Sequence, residues 1–239
     1  MIADLSDGVG VACTMGIGDE LAVGRSVAVI SQDLQAIEVA GRSRSVPVAG
    51  FVNGAGDGIY VNGTSGSFAI TVAASGGVQS DTAAIDLQGE YMSMTVTNHG
   101  TLEGRGEVFT NAGNTRDICL VNTGNILVDR FGVILNTDGD HVVINAGRIV
   151  GGYFGVQTFT GSDILRNSGV IVGGVSLLEG SDLHDGRGGV VFGFMGGQQQ
   201  RSIHSGAWTR QHLWRVGREY GGFPAAEGGH RSAGRVAMC

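Results

Sequence analysis

Five glycines, Gly76, Gly100, Gly124, Gly147 and Gly169, mark one position of a repeat, with gaps of 24, 24, 23 and 22 residues. Around the last four the chain reads Asn98-His-Gly-Thr-Leu102, Asn122-Thr-Gly-Asn-Ile126, Asn145-Ala-Gly-Arg-Ile149 and Asn167-Ser-Gly-Val-Ile171; Ala74-Ser-Gly-Gly-Val78 is a degenerate copy. A short β-branched run precedes each Asn (Thr95 to Thr97, Ile118 to Val121, Val142 to Ile144, Ile164-Leu165). Another apolar stretch follows, as in Gly132-Val-Ile-Leu135 and Gly155-Val-Gln-Thr-Phe159. Three short strands per 22–26 residues, separated by Gly, Asn and Asp turns, predict an all-β chain folded as a single-stranded, right-handed parallel β-helix. Helical folds are excluded because glycine falls every few residues and no 3.6-residue apolar period survives. In such a coil the recurring Gly suits a corner with positive φ. The recurring Asn suits an inward ladder of stacked amides, a scaffold device and not a site.

The register divides the chain into N-terminal coils or a cap over 1–47, the repeat array over 48–178, a glycine-rich segment over 179–197 and a tail over 198–239. Glycine supplies 44 of 239 residues, yet not at every third position, which removes collagen. A hydrophobic share of 42% removes a polar disordered tract for the body. No apolar run reaches the length of a membrane span. The opening Met-Ile-Ala-Asp-Leu-Ser-Asp carries acids where a signal peptide needs a basic start, so no N-terminal signal is expected. Cys13, Cys119 and Cys239 lack metal-ligand spacing, and Cys119 reads as a buried strand residue.

Charge separates the tail from the body. Residues 1–195 hold 9 Arg against 20 acids, whereas 196–239 hold 6 Arg against 2 acids together with Trp208 and Trp214. Glycines and Pro224 break any helical face, so the tail predicts disorder and not a nucleic-acid or membrane arm. Gln198-Gln-Gln-Arg201 also back-translates, one nucleotide forward, into Asn or Ser codons followed by Asp. Residues beyond about Gly197 are therefore expected to be read out of frame.

Asn-X-Gly-X-Ile followed by a Gly-Val-rich strand resembles the β-helical repeats of large exported bacterial proteins. Gly180-Ser-Asp182-Leu-His-Asp185-Gly-Arg-Gly188-Gly189 resembles the calcium-binding nonapeptide repeat of the RTX, or haemolysin-type, family, with His184 at a position usually apolar. The resemblance implies calcium as cofactor with Asp182 and Asp185 as metal ligands. It also implies an extracellular or cell-surface location reached through a C-terminal export signal, which this chain is expected to lack, and a structural or adhesive, non-enzymatic role. Cell-surface or extracellular polysaccharide is the expected partner class, and an uncapped last coil would favour end-to-end self-association.

The alternative is a β-helical carbohydrate-active enzyme, a polysaccharide lyase, glycoside hydrolase or epimerase. Asp117, Asp140 and Asp163 recur at intervals of 23 and 23, with His141 beside the second. Stacked about 5 Å apart they would pair as catalytic carboxylates or hold a cation. Asp is equally a good turn residue where a loop re-enters a strand.

Overall fold

The structure, a computed structural model, describes residues 5–8, 10–16, 19–89, 91–111, 117–197 and 201–203. These residues form strands and turns without a helix, so no helix is long and apolar enough to cross a membrane. The chain winds as a parallel β-solenoid of about seven turns. Each turn passes along three faces, and a single strand such as Arg148–Thr158 or Val170–Leu177 bends across two of them. The coil around Asn98 is representative: Met92–Asn98 lies on the first face, Thr101–Gly104 on the second and Glu107–Asn111 on the third. The next coil begins at Ile118–Asn122, paired in parallel with Met92–Asn98.

Stacking is in register, so equivalent side chains of successive coils form columns. On the first face Ile70, Val96, Leu120, Val143 and Leu165 lie one above another, with His184 as the next member. On the second face the column is Val52, Val78, Leu102, Ile126, Ile149, Ile171 and Val191. On the third, Val133, Val156 and Val175 continue into Met195. All but the half-buried Met195 are buried, and they fill the interior. Alternation explains the sorting. In Ile118–Asn122 residues 118, 120 and 122 point inward while Cys119 and Val121 turn outward. Cys119 is therefore half-buried on the outer surface, not the interior residue its apolar neighbours suggested.

The asparagines form the expected ladder. Asn98 Nδ2 donates to Asn122 Oδ1, Asn122 to Asn145 and Asn145 to Asn167, each at 2.8 Å, and all four are buried. The glycine column exists for a different reason from the one expected. Gly76, Gly100, Gly124, Gly147 and Gly169 do not adopt positive φ. Successive corners instead approach so closely that a Cβ on Gly124 would run into the Gly100 carbonyl, and one on Gly147 into the Gly124 carbonyl. Backbone proximity, not handedness of φ, selects glycine here.

The stack is longer than the 48–178 array. Strands Leu5–Gly8, Cys13–Met15, Ala28–Ser31 and Ile37–Arg42 extend it at one end, and Leu183–Asp185, Val190–Phe192 and Met195–Gly196 at the other. Arg201–Ile203, inside the segment expected to be disordered, pairs with Leu183–Asp185 on the first face. The rest of the 198–239 tail lies outside the described residues.

Candidate functional site

The sequence singles out the lead-in to the first face, where the turn from the third face re-enters a strand. Val142, Ile164 and Leu183 are register partners, so the residues before them, His141, Asp163 and Asp182, share a column. That column begins with Phe68, Met94 and Ile118 and changes from apolar to titratable toward the C-terminal end.

The three aspartates expected to align therefore do not. Asp117 and Asp140 stand one position earlier, and Ser162 occupies the next coil's place beside them. The coil from Asn145 to Asn167 is 22 residues long, so a step of 23 from Asp140 lands one position too far. In a strand one position reverses the side chain's direction. Asp117 and Asp140 consequently sit exposed outside, whereas Asp163 is inside with 1% of its surface accessible.

Asp117, Asp140, His141, Asp163 and Asp182 each have a backbone partner on a neighbouring coil. Outside, the Asp140 N–H donates to Asp117 Oδ1 at 3.1 Å and the Ser162 N–H to Asp140 Oδ1 at 2.6 Å. Inside, the Ile118 N–H donates to His141 Nδ1 at 3.2 Å, the His141 N–H to Asp163 Oδ1 at 2.8 Å, and the Asp163 N–H to Asp182 Oδ1 at 3.0 Å. The returning bonds run between main chains: the Ile164 N–H reaches the His141 carbonyl and the Leu183 N–H the Asp163 carbonyl, both at 2.8 Å. These polar side chains thus complete the hydrogen bonding of buried backbone where the regular ladder begins.

Burial governs the electrostatics. It lowers the His141 pKa to about 4, with hydrogen bonding at Thr137 and the charges of Asp117 and Asp140 opposing. Because Nδ1 accepts the Ile118 N–H, the ring proton belongs on Nε2, which meets the Thr137 hydroxyl at 3.1 Å. Burial raises Asp163 to about 7, offset in part by the His141 N–H and reinforced by the Asp182 and Asp140 charges. Burial also raises Asp182, against the Asp163 N–H. Neither Asp163 Oδ2 nor Asp182 Oδ2 makes a hydrogen bond. Burial disfavours the charged form of an acid whose second oxygen lacks a partner. Sealed from solvent, Asp163 has no path to an external substrate, and a general acid or nucleophile must reach the reacting atom.

The proposed calcium ligands also part company. Asp182 points inward, while Asp185, three residues and about 10 Å along the strand, points outward. Asp185 is held by the Arg187 guanidinium, which keeps its carboxyl down at about 2. A hard cation needs six or more converging oxygens, and these two carboxylates lie on opposite sides of the coil wall. They do not fit one calcium ion. Among the described residues no group of three or more His, Cys, Asp or Glu is arranged to hold a metal.

Sequence reasoning missed the inner His141–Asp163–Asp182 column. The signal that locates it is the shortening from 23 to 22 residues between Asn columns, which moves Asp163 across the wall. No protein-family model, curated protein or solved structure matches the chain.

Proposed function

We propose that this chain is a non-enzymatic structural element, a β-solenoid rod segment with an adhesive role at an extracellular or cell surface. The observation that carries the proposal is the use made of the candidate acids. Asp117, Asp140, Asp163 and Asp182 each accept a backbone N–H of an adjoining coil, so they clamp one turn to the next. With the amide ladder and continuous apolar columns, they serve the rigidity of a stack that rises about 4.8 Å per turn.

The test is incubation with neutral polysaccharides and polyuronates, following new reducing ends and unsaturated uronate absorbance. The expected outcome is no turnover. Turnover lost in Asp117→Asn/Asp140→Asn, with melting temperature unchanged, would instead favour the carbohydrate-active enzyme.

Calcium enters the proposal from the RTX-like resemblance of residues 179–197 alone. A rise in melting temperature at millimolar calcium that survives Asp185→Asn would assign the effect to other oxygens. No rise would remove calcium and leave the rod.

A further inference from the structure

The corner between the second and third faces carries a feature that no repeat motif marks. Tyr153 is 60% exposed there, its N–H donating to the Arg130 carbonyl one coil below at 2.8 Å. Its ring lies 5.5 Å from that of Phe131, which stacks on Phe154 at 6.1 Å; Phe154 meets Phe194 edge-on at 5.0 Å. The Arg130 guanidinium covers Phe131 at 5.5 Å. Tyr153 is thus an exposed ring resting against a column of half-buried ones.

A groove of about 430 Å³ runs along the second face across four coils and includes Asp129, the residue before Arg130, whose carbonyl receives the Tyr153 N–H. Its polar groups are the exposed Gln79 and Glu103, the Asp81–Arg105 ion pair at 3.3 Å, and Asp129. Leu127 and Val150, both half-buried, give it an apolar floor. The volume falls in the range of small-ligand sites, and the lining is mainly polar.

The chemistry narrows the ligand. A partner must offer hydroxyls to carboxylates and a carboxamide, and a C–H face to Leu127, Val150 and the Tyr153 ring; a pyranose has both. Three acids against one arginine repel polyanions, which disfavours nucleic acid and polyuronate. Four coils span about 14 Å, and the groove is open along the stack, so it suits a chain of sugars more than a single one. We propose that this groove binds a neutral polysaccharide, with Tyr153 as the stacking platform and Glu103 and Asp129 as hydroxyl acceptors. The inference rests on the adhesive part of the function proposed above and gives it a ligand class.

The test is native affinity electrophoresis of the full chain through gels containing soluble neutral glucan, mannan or polygalacturonate. Retardation is expected in at least one neutral polymer and not in polygalacturonate. Tyr153→Ala is expected to weaken it roughly threefold to tenfold, and Glu103→Ala/Asp129→Ala to weaken it further, with melting temperatures within about 2 °C of the parent. Retardation by polygalacturonate alone, no retardation in either neutral polymer, or unchanged retardation in Tyr153→Ala would each overturn the proposal. Small-angle scattering on the same samples separates the two levels: loss of the rod profile defeats the structural reading, whereas an intact rod without retardation defeats only the saccharide site.

Discussion

Replacing Asp163 with Asn tests the inner column most sharply, because it removes a titration while keeping the shape. The Asn Oδ1 can still accept the His141 N–H that Asp163 accepts at 2.8 Å. Asp163 moves from an ordinary 3.8 to about 7 on folding. A carboxyl whose folded pKa is raised keeps a proton that the unfolded chain has released. Its stability contribution is therefore whole below about 3.8, declines as pH rises, and is lost above about 7. Three pK units correspond to about 4 kcal/mol, an upper bound, so 2–4 kcal/mol is the working range.

His141 acts in the opposite sense. Its pKa falls from 6.5 to about 4, so its contribution is gained as pH rises through that window. In the parent chain the two slopes nearly cancel between about pH 4 and 6.5. In Asp163→Asn the His141 slope stands alone, and the variant gains on the parent as pH rises. Thermal melts from pH 4 to pH 8 should show the difference in melting temperature, variant minus parent, widening by roughly 4–16 °C. A difference constant across that range would refute the buried, proton-holding state assigned to Asp163.

Other substitutions probe the scaffold. Asn122→Leu leaves the Asn98 Nδ2 and Asn145 Oδ1 groups without their ladder partner, and should cost about 2–5 kcal/mol in urea denaturation. Gly124→Ala drives a methyl into the Gly100 carbonyl and should cost at least about 3 kcal/mol or prevent folding. Gly106→Ala meets only an ordinary contact with the Thr82 carbonyl at 3.6 Å and should change stability by less than about 1 kcal/mol. Asp185→Asn removes an ion pair outside the wall, and chemical denaturation at pH 7 should leave the midpoint nearly unchanged.

Asn98, Asn122, Asn145 and Asn167 were legible as an interior ladder because in-register parallel stacking requires the same residue at the same place in each coil. The flanking coils were less legible. Leu5–Gly8 through Ile37–Arg42 and Leu183–Asp185 through Met195–Gly196 hold their places by main-chain pairing, which tolerates loss of the Asn-X-Gly motif. The glycine column was visible, but its cause was not, since a close approach between coils leaves the same mark in a sequence as a positive φ.

The repeat by itself determined the solenoid, its three strands per coil and its amide ladder, because each depends on periodicity along the chain. The candidate sites depended on register across coils, which a single deleted residue changes. The step from 23 to 22 residues put Asp163 inside with His141 and Asp182 while Asp117 and Asp140 stayed outside. Alternation put Asp182 and Asp185 on opposite sides of the wall. The groove was beyond any linear reading: Gln79, Glu103, Leu127 and Val150 stand 23 or 24 residues apart in sequence and become neighbours only when hydrogen bonding stacks their strands.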